Sequence, residues 1–324
     1  MSKLLHQGYC LRGRFEEQSL QMPPPRLRLR SNLVPAVRHV YTRRLYSTPS
    51  SVVLTKSIPA PNCGSIRILT LNRPASRNAI SRQLLTELRR EIDDIHAEPA
   101  DGPTRALIIA SAVDSSFCAG ADLKERATFT QDDTNKFLAM LRETFEKIET
   151  LPVPTIAALH APAFGGGLEL ALATHLRVFA SSATVALPET RLAILPGAGG
   201  THRLPGIIGL SRARDMILTG RRVGAAEAYF FGLCDRLVEI QDAKSEAELL
   251  SMGRTKVLEE SISLAKEICD GGPVAIRQAL RAVNGWARGQ EAESEAYDVV
   301  VKTRDRDEAL LAFKEKRRPV FKGC

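Results

Sequence analysis

Residues 165–200 decide the fold: Gly165-Gly166-Gly167-Leu168-Glu169-Leu170-Ala171-Leu172-Ala173 at the head, Leu187-Pro188-Glu189-Thr190 in the middle, and Pro196-Gly197-Ala198-Gly199-Gly200 at the end. Consecutive glycines cost conformational entropy, so they belong where the backbone needs positive φ or where another molecule must approach bare main chain. The apolar run behind Glu169 reads as a buried helix. That places the acid in a first helical turn, where unpaired amide N–H groups can face a developing negative charge. Glu189 stands just before the second glycine turn. One such glutamate alone is ordinary helix-cap or loop chemistry. Two held near one cavity can divide acid and base work if their surroundings push their pKa values apart.

Working outward towards the N-terminus, Ile66, Ile68, Leu69 and Leu71 read as a strand that runs into a turn at Asn72-Arg73-Pro74. Ser81 then caps a helix whose apolar residues Leu84, Leu85, Leu88, Ile92 and Ile95 follow helical spacing. Residues 106–110 form a short buried strand, and strand–helix–strand order signals a parallel α/β arrangement. Directly after it come Phe117-Cys118-Ala119-Gly120-Ala121-Asp122-Leu123-Lys124. Small residues at the end of a strand let a ligand approach the backbone, and open α/β folds place their sites at such ends. An amphipathic helix is expected over 131–150 and a strand over 155–159, which delivers the chain to the glycine run. Beyond residue 200, segments 204–218, 225–231 and 246–269 read as helices, and 274–316 reads as a polar helical layer of its own.

Of the 324 residues, 44% are hydrophobic and 25% charged, as in an ordinary soluble globular protein with a sizeable core. No apolar run approaches the roughly eighteen residues of a spanning helix, so membrane insertion is not expected. The six cysteines, Cys10, Cys63, Cys118, Cys234, Cys269 and Cys324, form no Cys-x-x-Cys pair and no cluster with histidines, which argues against a zinc site and for a reducing compartment. The net charge of +8 is concentrated at the start of the chain: residues 1–46 hold nine Lys and Arg against Glu16 and Glu17. An Arg-rich, acid-poor leader broken by Pro23, Pro24 and Pro25 has the composition of a mitochondrial transit peptide, with Arg44-Leu45-Tyr46-Ser47 similar to a matrix-peptidase site. The nearly neutral remainder offers a polyanion little to bind. The arginines Arg77, Arg82, Arg89 and Arg90 alternate with Glu87, Glu91, Asp93 and Asp94 as on a solvated helix face, so RNA is not an expected partner.

In order and spacing, segments 117–124, 165–170 and 188–201 resemble the signature motifs of the crotonase, or enoyl-CoA hydratase/isomerase, superfamily, and the likeness covers about residues 52–323. The resemblance implies an α/β fold: a crotonase-type spiral of ββα units followed by a C-terminal helical trimerisation region. On that pattern 1–46 is the transit peptide, 47–245 the spiral core with the active site, and 246–324 the helical oligomerisation region of a homotrimer or dimer of trimers in the mitochondrial matrix. It further implies an acyl-CoA thioester as substrate. The N–H groups of Ala121 and Gly166 would form the oxyanion hole, Glu169 would activate water for attack at C3, Glu189 would protonate C2, and Gly197 N–H would place the water. Ala119 and Lys124 match positions near coenzyme A, and Phe313 and Lys316 match a tail that reaches a neighbouring subunit's ligand. No metal and no separate cofactor are implied, because the thioester acidifies C2 and the two amides carry the enolate charge.

Retention of both glutamates favours hydration over isomerisation or hydrolysis, with other enoyl-CoA hydrations and isomerisation as the rivals. A substrate with a second carboxylate would call for a cation, and Lys124, Arg126 and Arg191 are the candidates. The segment His160-Ala161-Pro162-Ala163-Phe164 departs from the family's usual turn and puts Phe164 beside the glycines, where packing is the expected role. His202 replaces the usual glutamine and reads as a structural hydrogen bonder.

Overall fold

The computed structural model describes residues 51–324, and the leader expected at 1–46 lies outside the described residues. The described chain begins with β1 (Val53–Pro59) and β2 (Ser65–Leu71), then α1 (Arg82–His96), β3 (Thr104–Ser111), a one-turn α2 (Leu123–Arg126), α3 (Gln131–Glu149) and β4 (Thr155–Leu159). Next come β5 (Ala163–Phe164), α4 (Gly166–Leu172), β6 (Leu176–Ala180), β7 (Thr184–Ala186) and a 3-10 turn at Glu189–Leu192. They are followed by α5 (Gly200–Ile208), α6 (Leu210–Thr219), β8 (Val223–Gly224), α7 (Ala225–Phe231) and β9 (Arg236–Val238). Helices α8 (Glu246–Cys269), α9 (Pro273–Asn284), α10 (Gln290–Val300) and α11 (Arg304–Glu315) complete it.

The strands form a main sheet of order β1-β2-β3-β4-β6-β9, antiparallel at β1–β2 and parallel from β2 onward, and a small sheet β5-β7-β8. Side-chain alternation along the central strands feeds two cores. Leu69, Leu71, Leu107, Ile109, Ala157 and Leu159 pack with Leu84, Leu88 and Ile92 of α1 and Phe137, Phe145 and Ile148 of α3. Ile66, Ile68, Ala106, Ile108, Ile156 and Ala158 pack with Val257, Leu264 and Ala265 of α8 on the opposite face. Each fully buried Leu, Ile or Phe here contributes about 1.5–3 kcal/mol relative to exposure. Ser81 caps α1 as expected, its hydroxyl accepting from Leu84 N at 3.2 Å.

One expectation about the later helices is corrected. The stretch 204–218 is two helices, because Gly209 takes φ +80° and ends α5 before α6 begins. The polar helical layer expected over 274–316 is present as three helices, broken around Gly285 and Gly289 and restarted at the Thr303 cap, whose hydroxyl accepts from Arg306 N at 3.2 Å. Helix α9 buries none of its residues in the single chain, and Val283 (67%), Trp286 (80%), Tyr297 (66%) and Phe313 (85%) are exposed along this region.

Adjacent parallel strands β3 and β4 both lead, at their C-terminal ends, into the segments that carry the candidate chemistry. Single bridges tie these loops together: Cys118 pairs with Ala163 and Ile80 with Ala121. Phe164 N donates to Cys118 O at 3.1 Å. The fold therefore brings residues 117–121 and 163–169 side by side.

Candidate active site

The bridge between Ile80 and Ala121 runs through the neighbours of Ala121. Ile80 N donates to Gly120 O at 2.7 Å and Asp122 N to Ile80 O at 3.1 Å, so Ala121's own N–H lies outside these bonds. Gly166 opens α4, where an N–H has no carbonyl one turn back to pair with. The two residues lie side by side, since a Cβ placed on Gly166 would lie 3.8 Å from Ala121 N. Glycine is required at several points of this approach. Gly120 has φ +92° and a Cβ there would stand 2.6 Å from Phe164 O, while a Cβ on Gly167 would strike the carbonyl and side chain of Cys118. Backbone donors at such a place suit a carbonyl oxygen that gains charge during reaction.

Glu169 is 2% exposed, in the first turn of α4. Its Oε1 accepts from Ala198 N at 2.8 Å and Gly200 N at 2.9 Å. Burial pushes its carboxyl above the usual range. The two amides oppose that shift, as do the charges of Arg203 and His202. Glu189 is 9% exposed and starts the 3-10 turn, and its Oε2 is buried without a partner. Burial pushes this carboxyl up to about 7, and the charge of Glu169 adds to the rise. Gly165 makes room for it, with φ +52° and Glu189 Oε1 only 2.9 Å from where a Cβ would be. The two acids thus share one locality with different partners: amide donors and nearby cations offset the burial of Glu169, whereas Glu189 has no such donor on Oε2 and its carboxyl is raised to about 7.

The structure brings together Glu169, Glu189, Ala121, Gly166 and the turn containing Gly197. Gly197 itself faces Leu138, whose Cδ2 lies 3.5 Å from the position of an added Cβ, and its carbonyl accepts from Arg142 Nε at 2.6 Å. Ala119, Ala121 and Lys124 line a cleft of about 970 Å³ with Arg73, Pro74 and Arg77, next to the paired amides. Among the other candidate cations, Arg126 lies against the Phe137 ring at 5.8 Å and Arg191 Nε donates to Thr219 O at 2.9 Å. Phe313 and Lys316 sit at the end of α11, and neither is among the residues that line the cleft in this single chain. Phe164 packs under the Arg222 guanidinium at 5.0 Å, and His202 is exposed at the start of α5. No group of three or more His, Cys, Asp or Glu among the described residues could hold a metal ion. No described helix is long and apolar enough to cross a membrane.

Sequence reasoning did not find the amides of Ala198 and Gly200 on Glu169, because a main-chain donor leaves no mark in the sequence beyond the glycine turn. Nor did it find Arg203 and Glu149. Arg203 is 9% exposed and donates through Nε and Nη2 to Glu149 Oε2 at 2.9 and 2.7 Å and through Nη1 to Ala198 O at 2.9 Å.

With this geometry in view, similarity to known proteins is informative. Residues 62–324 match the enoyl-CoA hydratase/isomerase family. An enoyl-CoA isomerase/hydratase of Zymoseptoria tritici is 58% identical over 85% of this chain and 89% of that protein. A protein named methylglutaconyl-CoA hydratase 1, mitochondrial, of Pyricularia oryzae is 53% identical over 88% of this chain and 91% of its own length. The solved enoyl-CoA hydratase of Bacillus anthracis has a TM-score of 0.74 at 40% identity, covering 84% of this chain and 100% of that one. Paired acids, paired amides, fold and family match agree: the chain belongs to the enoyl-CoA hydratase/isomerase family and is a hydratase of acyl-CoA thioesters.

Proposed function

We propose that this hydratase adds water across the C2–C3 double bond of 3-methylglutaconyl-CoA to give 3-hydroxy-3-methylglutaryl-CoA, a step of leucine breakdown. The observation that carries the chemistry is the pair Glu169 and Glu189, one gripped by two amides and the other buried with an unpartnered oxygen. The substrate follows from likeness to proteins named methylglutaconyl-CoA hydratase, among them the human one at 39% identity over 90% of this chain. The relatives' mitochondrial names support a mitochondrial place, and within the mitochondrion the proposal is the matrix.

In this reading the thioester oxygen accepts from Ala121 N–H and Gly166 N–H. Glu169 takes a proton from water placed with the help of Gly197 N–H, and the hydroxyl adds to C3. The electron pair of the double bond moves to an enolate held by the two amides. Glu189 then gives its proton to C2, and exchange with solvent restores both acids. Losing one oxyanion donor typically costs roughly 10² to 10³ in turnover. No metal or separate cofactor enters, since coenzyme A arrives with the substrate along Ala119 and Lys124. A homotrimer, or a dimer of such trimers, would cover the exposed Trp286, Tyr297 and Phe313 and bring Phe313 and Lys316 towards a neighbour's ligand. RNA binding is not favoured: on α1, Arg89 pairs with Glu143 and Asp93, and Arg82 with Asp133.

The test is a hydration assay over 3-methylglutaconyl-CoA, crotonyl-CoA and other short enoyl-CoAs, with mass measured by light scattering. The expected result is the highest kcat/KM for 3-methylglutaconyl-CoA, from a trimer or hexamer. A clear preference for crotonyl-CoA would reassign the substrate, and a monomer at micromolar concentration would remove the assembly.

A further inference from the structure

The turn that faces Glu169 is held from behind. Three successive peptide units, Gly197–Ala198, Ala198–Gly199 and Gly199–Gly200, each have their carbonyl engaged on the side away from the acid. Gly197 O accepts from Arg142 Nε at 2.6 Å, and Ala198 O from Arg203 Nη1 at 2.9 Å. Gly199 O accepts from Arg203 N at 2.8 Å and His202 N at 3.2 Å, main-chain amides of the first turn of α5. No cis peptide occurs among the described residues, so each peptide is planar with its N–H opposed to its C=O. A carbonyl pulled outward therefore turns the next residue's N–H inward. Two of these three N–H groups, those of Ala198 and Gly200, reach Glu169 Oε1.

Arg203 is itself fixed. Its side chain is 7% exposed, and it makes two bonds to Glu149 Oε2 at the end of α3. The turn is fitted to it, because Gly199 has φ +115° and a Cβ there would collide with the guanidinium. We propose that Arg142 and Arg203 are positioning residues for Glu169: Arg142 holds the peptide that carries the Ala198 N–H, and Arg203, braced by Glu149, locks the middle peptide between the two that face the acid, so that both amides stay on the carboxylate without either arginine touching substrate. The inference rests on Glu169 being the base of the hydration and deepens that reading.

The charged and titratable groups around Glu169 are Glu189 from the 3-10 turn, Arg203 and His202 from α5, and Cys118 from the loop against Gly167. Arg203 and the two amides favour the ionised acid against burial. Loosening them leaves burial less opposed, so Glu169 should hold its proton to still higher pH and fewer molecules should carry a competent base at neutrality.

The experiment compares Arg203→Met, Arg203→Lys and Glu149→Gln with the parent protein and with Glu169→Gln. Titration of Glu169 is followed by infrared difference against Glu169→Gln, a readout that needs no turnover, and kcat and KM are measured from pH 5 to 9. Folding is checked by circular dichroism. The expected result for Arg203→Met is an upward shift of the Glu169 midpoint and of the acidic limb of kcat by about one pH unit. A fall in kcat of roughly 10²-fold should accompany it, as for a misplaced catalytic group, with little change in KM. Arg203→Lys, which keeps the charge and one bond, should lie between, and Glu149→Gln should move the same way by less. If Arg203→Met does not fold, Arg142→Met, at an exposed position, takes its place with a shift in the same direction, because Arg142 holds the peptide that carries the Ala198 N–H. An unshifted Glu169 titration and acidic limb in the folded variants, beside an inactive Glu169→Gln, would overturn this inference alone. Parental turnover by Glu169→Gln would overturn it together with the assignment of the base.

Discussion

Glu189→Gln should make the protein more stable above neutral pH while disabling it. Glu189 is 9% exposed with one carboxylate oxygen lacking any partner, and burial followed by the charge of Glu169 pushes its carboxyl from 4.5 up to about 7. The folded state therefore binds this proton more tightly than the unfolded chain does. As pH rises through that window, stability falls, and the penalty is complete above about pH 7. At about 1.4 kcal/mol per pH unit the shift corresponds to at most ~3 kcal/mol, which solvent at the open edge of the site reduces to ~2 kcal/mol. Glutamine carries no charge to desolvate. The variant should gain roughly 2 kcal/mol at pH 8 and under about 1 kcal/mol at pH 5, where the parent acid is already largely protonated. Urea unfolding at both pH values, at one fixed protomer concentration because assembly shifts apparent stability, measures the difference. A variant no more stable than its parent at pH 8, or one stabilised equally at both pH values, would refute the electrostatic picture. Turnover should move the opposite way, down by roughly 10² to 10⁴ for loss of a general acid.

Gly166→Ala should lower kcat about 10²-fold in steady-state assays, because the new methyl would lie 3.8 Å from Ala121 N and 3.2 Å from Ile80 Cδ1, in the space a thioester oxygen needs. Arg126→Gln should raise KM for 3-methylglutaconyl-CoA and leave crotonyl-CoA unaffected, because Arg126 lies over Phe137 on the helix whose Leu138 reaches Gly197. Lys124→Gln, in the cleft with Ala119, should raise KM for both substrates. Asp305→Ala should free the C-terminal tail: its buried carboxylate accepts from Lys322 N and Gly323 N, each at 2.7 Å, and losing these bonds costs about 1–3 kcal/mol, visible as faster hydrogen exchange at those amides.

The parts of the site legible in the sequence were those whose chemistry and backbone requirements are local. Glu169 and Glu189 each stand beside glycines that only positive φ or close approach explains, and Gly165 and Gly199 indeed take φ +52° and +115°. The capped helix after Ser81 and the apolar strand 106–110 were readable from period and turn residues. Strands β5, β7, β8 and β9 were not, because two or three residues carry no period and their pairing is set by distant neighbours. The edge strand β1 alternates poorly because it buries little beyond Val53. The break at Gly209 was hidden because apolar residues at helical spacing, Leu204 and Ile208 before it and Ala213 and Met216 after it, continue on both sides. Arg203 and Glu149 were invisible as a pair because no local spacing connects the end of α3 with α5.

The central claim is that Glu169 and Glu189 act on one double bond while Ala121 N–H and Gly166 N–H hold its thioester oxygen. The most direct measurement is kcat for hydration of 3-methylglutaconyl-CoA by Glu169→Gln and Glu189→Gln, each shown by circular dichroism to be folded. The account predicts that each single change lowers kcat by at least about 10² with KM little altered. Parental kcat in either folded variant would contradict it.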